Sequence, residues 1–226
     1  MMTKTEELIL ELSKTYDGEK GSLDFQSPFE LVIAVMLSAQ CTDARVNIVT
    51  KKMFQKYNTP ADFAQMKVTD IEKMISSISF YKNKAKHIKE CSKQIMIEFH
   101  GEVPSTMEEL TTLAGIGRKS ANVIMLEAFG KCEGIAIDTH ALRLSNRLGL
   151  SKADTPQRVE QDLLKKIPRK YWRLMNHLLV YHGRAICTAQ KPKCDICTVK
   201  SYCKRMENTC LEHKNSCETL SFTTVF

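Results

Sequence analysis

The sequence predicts an all-α fold. Over most of the 226 residues, apolar side chains recur at helical spacing, and residues that start or stop helices lie at the ends of those stretches. No stretch alternates polar and apolar residues beside hairpin-turn signals, as a β-sheet would require. With 43% hydrophobic and 26% charged residues, the composition indicates a globular chain with a packed core.

About ten helices with short connections are expected. The apolar run Phe29–Leu37 fits a buried helix and is shorter than the roughly 20 residues needed to span a membrane. Other helices are predicted at residues 43–57, 84–99, 118–129, 139–148, 155–167 and 171–184. Further helices are predicted to start at Thr59-Pro60 and at two capping boxes, Thr69 with Glu72 and Ser105 with Glu108. Stops are predicted at Gly101, Gly130 and Gly149.

The charge balance favours a polyanionic partner. Thirty-three Lys and Arg residues against 26 Asp and Glu give a net charge of +7, which is typical of nucleic-acid-binding proteins, although a basic protein without such a partner remains an alternative. Between Tyr181 and Arg205 the only acid is Asp195. The first residues contain no signal-peptide core, so we expect the protein to stay in the compartment where it is made.

Four of the nine cysteines are spaced C-x6-C-x2-C-x5-C: Cys187, Cys194, Cys197 and Cys203. Four thiolates suit tetrahedral zinc or an iron–sulfur cluster, and spacing alone slightly favours zinc. A metal is favoured over free thiols. Because the x6 loop contains Lys191 and Lys193, the metal would brace a basic loop. Cys210 and Cys217 with His213 could form a second site, but surface thiols on a tail are the favoured interpretation there.

A glycine-bounded turn between two predicted helices resembles a phosphate-binding hairpin. Gly115 and Gly117 permit a tight turn, and the next helix begins directly with Arg118 and Lys119. The unpaired N–H groups and the positive dipole end of that helix would bind phosphate without reading sequence. An ordinary helix–turn–helix corner is the alternative.

Lys119 and Asp138 are the candidate reactive side chains. A lysine amine is almost fully protonated near neutral pH, so a nucleophilic Lys119 needs burial or a positive neighbour to favour its neutral form. Its alternative is a simple phosphate contact. Asp138, in Ile-Ala-Ile-Asp-Thr-His, could cap a helix, or it could face a cleft and stabilise positive charge on a sugar.

Three motifs in this order resemble the endonuclease III family of bifunctional DNA glycosylases, which belong to the helix-hairpin-helix superfamily. They are the hairpin LAGIGRKSAN, the segment IAIDTH and the cysteine-rich ending, and the likeness runs from about Phe25 to Cys203. It also includes SPFELVIAVMLSAQCTD and the HGR before the first of the four cysteines.

The resemblance implies two helical domains with a DNA-binding cleft between them. The expected limits are 22–131 for a six-helix barrel with the helix-hairpin-helix motif, and 1–21 with 132–206 for an iron–sulfur domain. Residues 207–226 would be a C-terminal tail. The resemblance also implies a 4Fe-4S cluster rather than zinc, held by the four cysteines named above. A monomer in the cytoplasm of a prokaryote, associated with the nucleoid through its substrate, is expected.

By motif position the resemblance assigns roles to individual residues. Lys119 is the nucleophile and Asp138 the essential carboxylate. Gln40 fills the space of the flipped base, and Phe80 with Tyr81 forms the opposing wedge. The expected reaction removes oxidised pyrimidines from duplex DNA and cuts on the 3′ side of the abasic site by β-elimination through a lysine Schiff base.

The sequence departs from the family at three places. Ala114 replaces the usual proline before the first hairpin glycine, Phe80 stands where leucine is usual, and Cys41 follows Gln40. The alternatives are a non-catalytic DNA-binding module with a structural metal and a monofunctional relative of the adenine glycosylases. A redox protein would leave the hairpin and Lys119 without a purpose.

Overall fold

The computed structural model describes residues 2–16 and 22–204 and divides the chain into two units. Lys20–Ala136 is called the hairpin unit; Met1–Glu19 with Ile137–Phe226 is called the cysteine unit. The domain limits expected from the sequence, 22–131 and 1–21 with 132–206, stay a prediction, because two compact units need not be two domains that fold independently. The expected tail, including Cys210, His213 and Cys217, lies outside the described residues.

The hairpin unit contains seven helices among its described residues: α2 (Pro28–Ser38), α3 (Asp43–Phe54), α4 (Pro60–Gln65), α5 (Val68–Met74), α6 (Tyr81–Glu98), α7 (Met107–Leu110) and α8 (Arg118–Phe129). Helix α2 begins at the cap residue Ser27 and is buried from Phe29 to Leu37. It packs against α3, α6 and α8 and so forms the centre of one apolar core.

The cysteine unit is built on α1 (Lys4–Thr15), α9 (Thr139–Arg147), α10 (Pro156–Lys166) and α11 (Trp172–Ala185). Three short 3₁₀ turns complete it, at Arg169–Tyr171, Cys194–Ile196 and Lys200–Tyr202. Helix α11 packs against α1 and α9. The contact with α9 is close at Gly183, where an added Cβ would lie 2.9 Å from Cβ of His140.

The described residues contain no strand, so the all-α prediction is confirmed. No described helix is both long and apolar enough to span a bilayer. Helix α8 has the predicted bounds, and Gly130 ends it in a left-handed conformation. Two capping boxes were predicted wrongly: α5 has no side-chain cap at Lys67, and α7 is capped by Thr106 with Glu109. Each predicted pair lies within two residues of the real helix start, because Ser, Thr, Asp and Glu crowd these turns.

Candidate active site and cysteine pocket

The turn between α7 and α8 has the conformation that its glycines predict. Gly115 has a φ of +80°, and a Cβ added to it would lie 3.0 Å from Cβ of His87. Gln94 on α6 holds the turn through two bonds: its Oε1 accepts from the Ala114 N–H at 2.8 Å, and its Nε2 donates to the Thr112 carbonyl at 3.2 Å. Sequence reasoning missed Gln94, because nothing local marks its long-range bonds.

The amino terminus of α8 is open for a ligand. Its N-cap is Gly117, and no side chain caps it. A Cβ added at Gly117 would meet nothing within 4 Å, so this glycine faces open space. Arg118 and Lys119 form the first turn and are exposed. A helix amino terminus with exposed N–H groups and two cations favours an anion such as phosphate.

Two further predicted residues in the hairpin unit have a rare backbone conformation. Gln40 (φ 55°) and Phe80 (φ 58°) are both left-handed, which is uncommon for residues with side chains. Both are exposed, and Phe80 keeps 63% of its surface accessible. Tyr81 instead packs partly against the core. The exposed apolar side chain in this segment is therefore Phe80.

Asp138 in the cysteine unit caps α9, as one of the two sequence interpretations holds. Its Oδ1 accepts from the N–H groups of His140 and Ala141, at 2.9 and 2.8 Å. Among the described residues Oδ2 accepts no hydrogen bond, and Asp138 is half-buried. One carboxylate oxygen thus fixes the side chain, while the other is available to a charge outside the helix.

All four motif cysteines line one pocket. Its other lining residues are Leu144, Arg147, Leu148, His182, Ile186, Pro192, Lys193 and Lys200. A single zinc ion would need sulfurs to converge at about 2.3 Å from one point. Among the described side chains, no three Cys, His, Asp or Glu converge in that way. Four cysteines that line one pocket are the ligand set that a 4Fe-4S cluster takes.

The buried His182 and the half-buried Cys197 are in contact. Nε2 of His182 lies 3.4 Å from Sγ of Cys197, and its Nδ1 lies 3.1 Å from the hydroxyl of Tyr16. Burial lowers the pKa of His182. Burial also raises the pKa of the Cys197 thiol, and the other three cysteines raise it further. Bound iron would offset this cost, because a coordinated thiol is deprotonated.

Two arginines on α9 hold the loop that follows the first cysteine. Nη1 of Arg147 donates to Sγ of Cys187 at 3.2 Å and to the Thr188 carbonyl at 2.7 Å. Nη2 of Arg143 donates to the Gly183 and Cys187 carbonyls, at 2.8 and 3.0 Å. The loop exposes Lys191 and Lys193. Sequence reasoning missed both arginines, although their i, i+4 spacing places them on one helix face.

Comparisons with known proteins match both units. Residues 33–169 match the HhH-GPD superfamily of base excision DNA repair proteins, and residues 187–203 match the iron–sulfur binding domain of endonuclease III. Endonuclease III of Synechocystis is 48% identical over 87% of this chain and 90% of its own length. Endonuclease III of Bacillus subtilis is 47% identical over 79% of this chain and 81% of its own length.

A solved structure of a trapped endonuclease III–DNA covalent intermediate is also similar. It superposes with a TM-score of 0.86 at 40% identity, covering 92% of this chain and 99% of its own. A non-covalent endonuclease III–DNA complex gives the same values.

Proposed function

The chain belongs to the endonuclease III family of base-excision DNA repair proteins, and from that premise we propose that it removes oxidised pyrimidines from duplex DNA and then cleaves the strand. It is a DNA glycosylase and abasic-site lyase with a 4Fe-4S cluster. It acts as a monomer in the bacterial cytoplasm, on the nucleoid. The observation that carries the proposal is the position of Lys119, exposed in the first turn of an uncapped helix directly after a glycine hairpin.

Phosphate binding would place the DNA backbone at this helix start. The N–H groups of the hairpin and of the uncapped first turn of α8 would donate to a phosphate, and Arg118 would add positive charge. Lys191 and Lys193 supply a second basic patch on the cysteine loop. These contacts read no base, so selectivity comes from how easily a damaged base leaves the stack.

Lys119 would act as the nucleophile. Its side chain is exposed, so the desolvation that favours a neutral amine comes from the bound DNA. The neutral amine attacks C1′ of the sugar, the bond from C1′ to the base breaks, and the base leaves with that electron pair. The amine then gives a proton to the departing base. The C1′–O4′ bond breaks as the nitrogen lone pair forms the Schiff base between Nζ and C1′, and O4′ takes up a proton from water. Loss of a proton from C2′ and rupture of the C3′–O bond complete β-elimination.

Asp138 would stabilise the positive charge that develops at C1′ as the base departs. Its Oδ1 is fixed by two backbone N–H groups, so the free Oδ2 keeps its orientation without a cost during the reaction. Gln40 would occupy the space of the extruded base, and Phe80, with Tyr81 behind it, would enter the stack opposite.

Cys187, Cys194, Cys197 and Cys203 would hold the 4Fe-4S cluster. When bound, the cluster would crosslink the loop of Lys191 and Lys193 to the rest of the cysteine unit through these four thiolates. No step of the reaction above requires an electron from it. Arg143 and Arg147 hold the same loop from α9, so the basic patch is fixed from two sides.

Borohydride trapping tests the proposal. The wild-type protein should form a covalent adduct on duplexes containing thymine glycol or an abasic site, because borohydride reduces the Schiff base. Lys119→Gln should keep DNA binding and lose the adduct. Lys93→Gln is the control, since it removes the same charge from the surface pair of Lys93 with Glu90, and its adduct should match the wild type. An undiminished adduct in Lys119→Gln would show that Lys119 is not the nucleophile. A wild-type protein that binds the duplex but forms no adduct would be a DNA-binding module and not a lyase.

A further inference from the structure

Lys84 is a buried lysine whose amine bonds to backbone carbonyls at the end of α2. Only 6% of its surface is exposed. Its Nζ donates to the carbonyl of Leu37 at 2.8 Å and to the carbonyl of Ala39 at 2.5 Å. The last carbonyls of a helix have no partner within the helix, and a cation at that end also interacts favourably with the helix dipole. Burial lowers the pKa of Lys84, whereas the two hydrogen bonds stabilise the charged amine in this position.

The Ala39 bond fixes the turn that presents Gln40. The carbonyl of Ala39 belongs to the peptide group whose nitrogen is that of Gln40. Holding this carbonyl therefore holds the peptide plane from which the left-handed φ of Gln40, 55°, is measured. A residue other than glycine keeps a left-handed backbone conformation only when the surrounding structure holds it there.

The backbone of Lys84 fixes the second turn. Lys84 lies in the first turn of α6, and its N–H donates to the Phe80 carbonyl at 3.1 Å. Phe80 is the left-handed N-cap residue of α6, and no side chain caps this helix start. One residue is thus bonded to the backbone at both left-handed turns, through its amine on one side and its N–H on the other.

We propose that Lys84 is a positioning residue that locks the Gln40 and Phe80 turns together before DNA arrives, so that both side chains enter the duplex without reordering. The inference rests on the proposed function, which assigns these two side chains to the vacated stack. Groups that are ordered before binding lose less conformational entropy on binding. Lys84 itself is buried and is not a phosphate contact.

The matched variants are Lys84→Met and Lys89→Met. Methionine keeps the apolar stem of Lys84 and removes its donors. Lys89 lies on the same helix and also donates to a backbone carbonyl, that of Met66, but it does not touch either turn. Lys84→Gln keeps an N–H donor on a shorter stem and serves if Lys84→Met does not fold. Folding is checked by circular dichroism and by the visible absorbance of the cluster.

Two single-turnover reactions separate positioning from general damage. Removal of thymine glycol from a duplex requires a base to leave the stack, whereas cleavage of a preformed abasic site in single-stranded DNA does not. Lys84→Met should slow the first about tenfold to a hundredfold and leave the second within about twofold. Lys84→Gln should slow the first reaction by a smaller factor, and Lys89→Met should leave both rates unchanged.

An equal loss of both activities, or no loss of either, would overturn the role of Lys84. A wild-type protein that removes no thymine glycol and cleaves no abasic site would overturn the proposed function, and this inference with it. A wild type active on both substrates, with a Lys84→Met variant that matches Lys89→Met, would overturn this inference alone.

Discussion

Arg147 donates a hydrogen bond to the sulfur of Cys187, with 3.2 Å between Nη1 and Sγ. The same guanidinium reaches the carbonyls of Thr188 and Ala189, at 2.7 and 2.9 Å. A single side chain therefore fixes the first cysteine of the motif and the start of its basic loop. Partners of this kind orient metal ligands and contribute to metal affinity.

Replacing Arg147 should weaken cluster retention. The purified wild-type protein is expected to be yellow-brown, with absorbance at about 400 nm from thiolate-bound iron. Arg147→Met should lose that absorbance about ten times faster during incubation with a chelator, because four hydrogen bonds from a charged donor are removed. Arg158→Met, an exposed change on α10, is the control. Equal rates of bleaching in the two variants would show that Arg147 does not stabilise the site.

Two substitutions at Asp138 should separate its structural role from its chemical one. Asn caps helices as well as Asp does, so Asp138→Asn should leave the free energy of unfolding nearly unchanged, whereas Asp138→Ala should lose about 1 kcal/mol. Both should slow base removal by about a hundredfold or more, because the negative charge is gone. Denaturant unfolding and single-turnover excision measure the two effects. Full activity in Asp138→Asn would show that the Asp138 carboxylate serves only as a helix cap.

The two hairpin glycines should respond differently to alanine. Gly115→Ala forces a side chain into a φ of +80° and against His87, so it should cost about 1–2 kcal/mol of stability. Gly117→Ala meets nothing within 4 Å at a φ of −97°. It should preserve stability but weaken duplex binding, because the added Cβ would occupy the space through which the proposed phosphate approaches. Thermal unfolding measures the stability of both variants, and titration with duplex DNA at a fixed salt concentration measures their affinity. Unchanged DNA affinity in Gly117→Ala would argue against a phosphate site there.

The thiols of the hairpin unit should differ in reactivity. Burial raises the pKa of Cys91 to about 12 from its ordinary 9.0, whereas Cys41 is half-exposed. Iodoacetamide at pH 8 should therefore label Cys41 in the folded protein and spare Cys91, as peptide mass spectrometry can show. Because the folded state holds the Cys91 proton more tightly, its contribution to stability is present below about pH 9 and is lost as the pH rises towards 12. Labelling of Cys91 at the rate of Cys41 would contradict this.

Local sequence signals predicted several helix ends correctly. The bounds of α8, the left-handed Gly115 and the cap at Thr59 follow from residues within one turn of each other. The capping boxes predicted for α5 and α7 were wrong: α7 is capped one residue later, by Thr106, and α5 has no side-chain cap. Ser, Thr, Asp and Glu are frequent in both turns and offer the same spacing at more than one position.

Long-range bonds from side chains to the backbone could not be predicted. Lys84 bonds to carbonyls 45 and 47 positions away, and Arg147 bonds to carbonyls 41 and 42 positions away. Such a lysine or arginine looks like any surface cation in the sequence. Lys119, Asp138 and the cysteines could be named because they lie in compact motifs, whereas the residues that hold these motifs in place are scattered.

Peptide mapping of the borohydride-trapped complex tests the central claim most directly. The protein would be reacted with an abasic duplex, reduced, digested with nuclease and protease, and analysed by tandem mass spectrometry. The account predicts a residual sugar mass on the peptide that contains Lys119, attached at Nζ. A residual sugar on the terminal amine, or on a lysine elsewhere in the chain, would contradict it.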